Sequence, residues 1–306
     1  MSVDNIKIAF WNTALSPPVS SAARPSQEKL DQAVSIVLEQ LTTVSVLGLC
    51  EVSEEDITTI SSSLPSNFKI QSIQDKLGRT WFDLAIIYDI DVFEDKSNIS
   101  TKTTRHLNHD KIKVGAEVSL TWKETGNVII VYVSHWLSQN SDDEYRHAAA
   151  MALSLLVERN SNLGNQVILM GDYNDDPFSA SISKFLGAVN CYSALSKGKG
   201  LLLYNPFARA MFVSSPFCQL SNQKPKSLGS YYYAGGRERR YLTYDQIIFS
   251  PCFLEKGAWK LEEGNTGIYN EPKIQTLIEQ THKRFFDHFP VVASLQKSNY
   301  EASNGS

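Results

Sequence analysis

Short apolar runs that end in polar residues recur along the first half of the chain. IKIAFWN alternates apolar and polar positions and ends on Asn12, and VSVLGLC is mostly apolar and is followed by Glu51. Runs of this length predict strands. Further strands are predicted for FKIQSI, FDLAIIYD, KVGAEVSLTW, NVIIVYVSH and QVILMG, and the KETG that follows KVGAEVSLTW predicts an antiparallel hairpin.

Apolar residues recur every three or four positions in other segments, which predicts amphipathic helices at residues 28–41 and 144–158. A helix is also expected at 54–63, with Ser53 as its N-cap, and a short one at 179–186. We expect a long loop from there to about residue 227. Strands and helices mixed in this order indicate an α/β protein with two packed sheets and helices outside. A single domain is predicted to cover residues 1–297, followed by a disordered tail at 298–306.

Composition narrows the function only a little. A chain of 306 residues with 42% hydrophobic residues can bury a large core, and its formal net charge of -4 argues against a surface that coats nucleic acid. Any site for a polyanion must therefore be local. The four cysteines lack CxxC spacing, which predicts free thiols. Without an apolar run of membrane-spanning length or a signal-like N-terminus, we expect no membrane span and a cytoplasmic location.

Side chains that can perform chemistry gather where the predicted strands end. Strand ends on a rigid sheet can hold such groups precisely in place. In GDYNDDP the acids are so close that they repel one another unless a metal, arginines or solvent offsets the charge. The side chains in question are Asn12, Glu51, His135, Asp172, Asn174, Asp245, Asp287 and His288.

Several of these residues also have an ordinary interpretation, and Asn12 alone could be a turn former. GDYNDDP alone is typical of an Asx-rich turn that caps a helix, and Asp175 and Asp176 suit that role before Pro177. His288 alone could be a satisfied core histidine. Glu51 alone could be an acid favoured by a helix N-terminus.

Six motifs in a fixed order favour the chemical interpretation. FWN, LCE, SHW, GDYNDDP, YDQI and DHFPV resemble, in sequence order, the motifs of the endonuclease/exonuclease/phosphatase superfamily, of which deoxyribonuclease I is a typical member. The resemblance runs from residue 6 to about residue 295. It implies a four-layer α/β sandwich of two packed mixed β-sheets flanked by helices. It also implies divalent-metal-dependent cleavage of a phosphate ester.

The resemblance assigns the metal and the attacking water to particular residues. Glu51 would be the principal ligand of Mg2+ or Mn2+, and Asn12 and Asp287 would complete or steady the metal site. Asp172 would orient and deprotonate the attacking water. The amide of Asn174 would donate to a phosphoryl oxygen without adding a repelling charge.

Two histidines complete the implied catalytic set. His288 would stabilise the developing charge as a donor, with Asp245 holding its ring. His135 would be a second imidazole, and Asp83 in TWFDLAIIYD is the candidate for the carboxylate behind it.

Basic and aromatic residues suggest substrate contacts. In YYYAGGRERRYLTY, the tyrosines 231–233 could stack on bases while Arg237, Arg239 and Arg240 contact phosphates, or the segment could be a hairpin with a solvated tip. We favour the hairpin for the tyrosines and retain the arginines as substrate-binding candidates. Arg146 is a further candidate, for a substrate phosphate or for a neighbouring acid.

The function expected from these features is hydrolysis of DNA or RNA by a metal-dependent phosphodiesterase, an endonuclease or an exonuclease. An alternative is a phosphomonoesterase or phosphodiesterase for inositol phosphates, phospholipid headgroups or nucleotides. A third, from another class, is a catalytically silent binding module with the same fold. The complete set of catalytic residue types argues against the third, and the sequence does not decide between the first two.

Overall fold

The structure is a computed structural model that describes residues 4–18, 24–77, 80–105, 111–197, 202–211, 229–254, 257–279 and 285–298. The tail predicted to be disordered lies, apart from Ser298, outside the described residues, as does Cys218. Cys50, Cys191 and Cys252 are free, in agreement with the prediction of free thiols. None of the helices within these ranges has the length and apolar character needed to span a bilayer.

The described residues form seventeen strands. They are β1 Asn5–Asn12, β2 Val46–Cys50, β3 Phe68–Ile73, β4 Lys76–Leu77, β5 Thr80–Trp81, β6 Leu84–Asp89, β7 Asn98–Thr104, β8 Ile112–Thr121, β9 Val128–His135, β10 Gln166–Asp172, β11 Ala188–Val189, β12 Leu203–Tyr204, β13 Tyr231–Tyr232, β14 Tyr241–Leu242, β15 Asp245–Phe249, β16 Trp259–Ile268 and β17 Val291–Lys297.

Two large mixed sheets contain most of these strands. The first sheet has six strands in the order β16-β17-β1-β2-β6-β3, and the second has seven in the order β11-β12-β15-β10-β9-β8-β7. The first sheet has one parallel pair, β1 with β2, and the second has two, β10 with β9 and β11 with β12. The pairs β4-β5 and β13-β14 form separate two-stranded sheets.

Five α-helices in the described part of the chain flank the sheets. They are α1 Gln27–Leu41, α2 Glu54–Ser63, α3 Asp143–Asn162, α4 Tyr192–Lys197 and α5 Pro272–Glu279. Helix α2 begins at a capping box between Ser53 and Asp56, which satisfies backbone N–H groups at its start. A π-helical turn covers Ala180–Phe185, where a short helix was predicted.

Three apolar clusters hold these layers together. The largest lies between the two sheets and includes Phe10, Ile86 and Val131. A second packs α1, α2 and α5 on the outer face of the first sheet, and a third packs α3 on the outer face of the second. The predicted arrangement of two packed mixed sheets between helices is therefore confirmed.

The same end of both sheets carries the polar residues predicted from the strand ends. Asn12 is the last residue of β1 and pairs with Cys50, so Glu51 follows directly beside it. In the second sheet, Asp172 pairs with His135 on one side and Asp245 on the other. Strand register thus brings residues that are far apart in sequence to one rim.

Candidate active site

The second sheet contributes three neighbouring side chains at this rim. His135 ends β9, Asp172 ends β10, and Asp245 begins β15, which runs antiparallel to β10. All three are buried. Since laterally paired residues project on the same side of a sheet, their side chains face the same space between the two sheets.

The first sheet contributes the opposing groups through the loops at its strand ends. Glu51 has a positive φ of 55°, and Asn174 across the site has a φ of 51°. With Ala14 (φ 48°), they are the non-glycine residues with positive φ in the described part of the chain. Left-handed backbone at such residues carries a cost that folded proteins concentrate at functional sites.

His288 and Asp245 form the first histidine–carboxylate pair. Nδ1 of His288 lies 2.7 Å from Oδ2 of Asp245, and its Nε2 lies 3.8 Å from Oδ2 of Asp172. Burial alone would lower the pKa of His288, but the charges of Asp245 and Asp172 outweigh it and raise that pKa well above its usual value. The ring therefore remains a proton donor that faces Asp172.

His135 and Asp83 form the second pair. Nδ1 of His135 lies 2.7 Å from Oδ2 of Asp83, and Nε2 lies 3.7 Å from Oε1 of Glu51. The buried Lys113 donates to the other oxygen of Asp83 at 2.9 Å. Burial favours a protonated Asp83, but His135 and Lys113 outweigh it and lower the pKa of that carboxyl. Sequence reasoning missed Lys113, whose one signal is a lysine within an otherwise apolar run.

Asn12 joins the carboxylates of the two sheets. Its Nδ2 donates to Glu51 at 3.2 Å and to Asp172 at 3.0 Å, while its Oδ1 accepts from the backbone N–H of Ala14. Burial raises the pKa of Glu51, and the neighbouring His135 opposes that rise. Because two carboxylates converge on this one donor, the space between them favours positive charge.

The donor set suits a hard divalent cation. Oδ1 of Asp287 and Oδ1 of Asp245 are buried and have no hydrogen-bond partner among the described residues. Asp172, Asp245 and His288 also offer ligand atoms that lie within 4.8 Å of one another. Carboxylate oxygens without partners are the ligands that Mg2+ and Mn2+ prefer. Nδ1 of His288 already contacts Asp245, so hydrogen bonding also explains why these three side chains lie close together.

Of the residues after Asp172, Asn174 lines the site and Asp175 supports the structure around it. Oδ1 of Asp172 accepts from the backbone N–H of Asn174, and Nδ2 of Asn174 donates to the carbonyl of Trp136 at 3.0 Å. Asn174 lines the site cavity. Asp175 is buried and accepts from Ser181 at 2.6 Å, and so it secures the following helical turn.

Arg146 does not face the cavity, and this corrects its assignment as a substrate-binding residue. It is 1% exposed, its Nε donates to Asp175 at 3.0 Å, and NH1 donates to the carbonyl of Ser138 at 2.9 Å. NH2 contacts Asp143. These protein acceptors engage its nitrogens, so of the two partners expected from the sequence the structure gives the neighbouring acid.

The three other arginine candidates lie on an exposed hairpin. Arg239 pairs with Asp176 at 2.6 Å, so its charge is partly neutralised, and Arg237 and Arg240 are exposed between β13 and β14. The tyrosines before them belong to the same hairpin, as favoured from the sequence, since β13 pairs antiparallel with β14. Tyr231 and Tyr233 line the site.

A cavity of about 560 Å3 opens over the converging groups. Its lining includes the predicted Glu51, His135, Asp172, Asn174, Asp287 and His288, together with Ser138, Gln139, Asn140, Tyr231, Tyr233, Leu242 and Tyr244. A cavity of this size accommodates a small ligand or one unit of a polymer. The last seven come from loops and a hairpin, whose position relative to the sheets has no signature in the sequence.

Comparisons with known proteins agree with this geometry. The model of the endonuclease/exonuclease/phosphatase family matches residues 21–297. No curated protein sequence matches the chain. Among solved structures, the catalytic domain of human Nocturnin is similar with a TM-score of 0.61 and 15% identity, over 97% of each chain.

Two further structures show the range of chemistry on this fold. A mannosyl-6-phosphatase of Bacteroides thetaiotaomicron has a TM-score of 0.60 at 16% identity, over 95% of this chain and 99% of its own. TDP2 of D. rerio, complexed with a single-strand DNA product, has a TM-score of 0.57 at 11% identity, over 96% and 99%. At such identities the structures support the fold alone. The family match covers nearly the whole length, and the chain belongs to the endonuclease/exonuclease/phosphatase family of phosphoesterases.

Proposed function

We propose that this protein is a divalent-metal-dependent phosphodiesterase that hydrolyses nucleic acid. The observation that supports it most is the convergence of two histidine–carboxylate pairs with Glu51 and Asp172 around one cavity. Phosphoryl transfer needs positive charge and donors around the phosphate and a base for the water. The site supplies each of these in a separate group.

The proposed chemistry divides between the sheets. A bound Mg2+ or Mn2+ ion would offset phosphate charge, and Glu51 and Asp287 would hold it, with Asn12 Oδ1 available after rotation of its amide. Asp172 takes the proton of the attacking water. His288, kept protonated by its acidic neighbours, donates to the phosphate as negative charge develops.

His135 and Asn174 would position the substrate. Nε2 of His135 lies at the cavity wall close to Glu51, where it can donate to a phosphoryl oxygen, while Asp83 fixes the ring through Nδ1. One Nδ2 hydrogen of Asn174 is used on Trp136, which leaves the second for the phosphate.

A phosphomonoesterase acting on a small molecule is the second candidate. The similarity to a mannosyl-6-phosphatase and a cavity the size of a small-molecule pocket favour it. Inositol phosphates, lipid headgroups and nucleotides belong to this candidate.

Hydrolysis assays with the purified protein test the proposal. Single- and double-stranded DNA, RNA, inositol phosphates, sugar phosphates and sphingomyelin are each supplied with Mg2+ or Mn2+. We expect nucleic acid to be cleaved and chelation by EDTA to stop the reaction. Cleavage that persists in EDTA would refute the metal requirement, and hydrolysis of small phosphate esters alone would support the second candidate.

Replacing Asp172 tests the assigned base. Asp172→Asn keeps the shape and an acceptor for Asn174 but cannot take a proton, so kcat should fall about 10²- to 10⁴-fold. Asp91→Asn, at an exposed aspartate outside the cavity, is the matched control and should leave kcat unchanged. Normal turnover by Asp172→Asn would exclude the proposed role.

A further inference from the structure

Three tyrosines form a series of nearly parallel rings on one wall of the cavity. Tyr231 lies 5.3 Å from Tyr244 between ring centroids, with 15° between the planes, and 6.5 Å from Tyr233, with 14° between the planes. We call Tyr233, Tyr231 and Tyr244 the tyrosine stack. All three line the same cavity as Asp172 and His288.

Backbone pairing fixes the tyrosine stack to the catalytic strand ends. Tyr231 forms an antiparallel bridge with His288, and the next residue donates its N–H to the carbonyl of Asp287 at 2.7 Å. The carbonyl of Tyr244 accepts from the N–H that follows Asp172, at 3.0 Å. The rings are therefore held at a set distance from the reacting groups.

The distance between the tyrosine stack and the reacting groups suits a group attached to the phosphate under attack. The ring of Tyr231 lies 4.7 Å from the ring of His288, which faces Asp172. At the outer end of the stack, Tyr233 is 51% exposed. An aromatic ring half exposed at the rim of a catalytic cavity offers apolar surface for a flat ligand.

We propose that the tyrosine stack binds the nucleobase next to the scissile phosphate, so that the protein acts on unpaired nucleic acid in preference to duplex. The inference rests on the proposed function. A base can stack on a side chain only when it has left its neighbours, as it does in single strands and at ends. Exposed Arg237 and Arg240, on the hairpin that carries Tyr233, would contact flanking phosphates.

A sugar phosphate suits this wall less well. Three rings whose planes agree within about 30° match a series of flat π systems, whereas a sugar ring has no π system and can contact an aromatic ring only through its C–H groups. Stacking also tolerates any base, so we expect little sequence preference.

Matched oligomers test the inference. A short oligothymidylate is compared with the same backbone carrying abasic tetrahydrofuran residues, and with the oligothymidylate paired to its complement. With Mg2+ or Mn2+, kcat/KM should be about 10-fold or more higher for the single strand than for either of the others, which is the effect of one stacked base. Equal rates on the abasic backbone, or faster cleavage of the duplex, would overturn the inference.

Variants at the rim locate the effect. Tyr233→Ala should raise KM for the oligothymidylate and reduce its advantage over the abasic backbone by about 10-fold, because one ring is lost. Tyr233→Phe keeps the ring and should keep the advantage. Tyr192→Ala, at an equally exposed tyrosine on α4, is the matched control and should change nothing. An advantage that survives in Tyr233→Ala would contradict the role of this ring.

Binding to an inactive protein separates this inference from the proposed function. Asp172→Asn with fluorescently labelled oligomers gives a dissociation constant without turnover, and we expect the oligothymidylate to bind about 10-fold tighter than the abasic backbone. Tight, base-dependent binding without hydrolysis by the unchanged protein would refute the proposed function alone. Hydrolysis without any dependence on the base would refute the stacking alone.

Discussion

At the scale of single residues, Lys113 places a positive charge in the interior beside the active site. Its Nζ lies 2.9 Å from Asp83, and both side chains are less than 10% exposed. Asp83 in turn holds His135. Removing one partner of a buried ion pair leaves the other charge poorly compensated, which costs more than removing both.

Lys113→Met should therefore lower the free energy of unfolding by about 3 kcal/mol, because the buried Asp83 loses its lysine partner. His135 still compensates part of the charge of Asp83. Chemical denaturation gives the value. The double variant Lys113→Met/Asp83→Asn, which removes both charges, should be more stable than Lys113→Met. Lys7→Met, at an exposed lysine on β1, is the control. A double variant no more stable than the single would contradict the burial argument.

At the scale of elements, local pattern predicted the strands and helices that bury one face. Helix α2 has the predicted bounds, and β8 and β9 form the predicted hairpin. The edge strands β7 and β16 were missed because NISTKTT and WKLEEGNTGI show no clear alternation, whereas the edge strand β3 was predicted from FKIQSI. Within the expected long loop lie β11, α4 and β12, which are too short to show a period.

Local pattern likewise predicted some residues of the site and not others. Strand-end position and motif order identified Glu51, Asp172 and His288, since each follows or precedes an apolar run. Lys113 and Tyr244 could not be found in this way, and for Tyr231 and Tyr233 the sequence offered stacking only as the alternative to a hairpin. Their place in the site depends on which strand lies beside which, and register between distant strands is not written in a local pattern.

A polar cluster joins α3 to the second sheet. Glu117 on β8 accepts from Asn160 at 3.1 Å, pairs with Arg159 at 3.1 Å and with Lys102 at 3.4 Å, and accepts from the hydroxyl of Tyr132. Burial alone would raise the pKa of Glu117, but the Tyr132 hydrogen bond and the charge of Lys102 outweigh it, so that pKa is lowered.

A lowered folded-state pKa gives Glu117 a stabilising effect that is present above its unfolded pKa, about 4.3, and is lost as pH falls through the folded value. Glu117→Gln should thus lower the free energy of unfolding by about 1.5 to 3 kcal/mol at pH 7. The difference from the unchanged protein should shrink toward pH 3. Denaturation at both pH values measures it, with Glu158→Gln, exposed on α3, as control. A difference that stays constant with pH would exclude the ionised carboxylate as its source.

At the scale of the whole molecule, a glycine of the first sheet lies against side chains of the second sheet. A Cβ on Gly48 of β2 would lie 2.8 Å from Sδ of Met170, 3.1 Å from Phe10 and 3.4 Å from Val133. Met170 and Val133 belong to the opposite sheet. The absence of a side chain at this position thus leaves room for Met170 and Val133.

Gly48→Ala should lower the free energy of unfolding by about 1 to 3 kcal/mol through overpacking. Adding Met170→Ala removes the obstructing sulfur, so the double variant should be destabilised by less than the sum of the single variants. Gly264→Ala, where no described atom lies within 4 Å of the added carbon, is the matched control. Strict additivity in the double variant would show that the two positions do not meet.

Each histidine of the candidate site takes its carboxylate from the opposite sheet: His135 comes from the second and Asp83 precedes a strand of the first, while His288 and Asp245 have the reverse origin. Neither sheet therefore contains a complete histidine–carboxylate pair by itself. A change that shifts one sheet against the other would therefore alter both pairs at once. The packing of the two sheets that stabilises the fold is thus the same packing that forms both pairs.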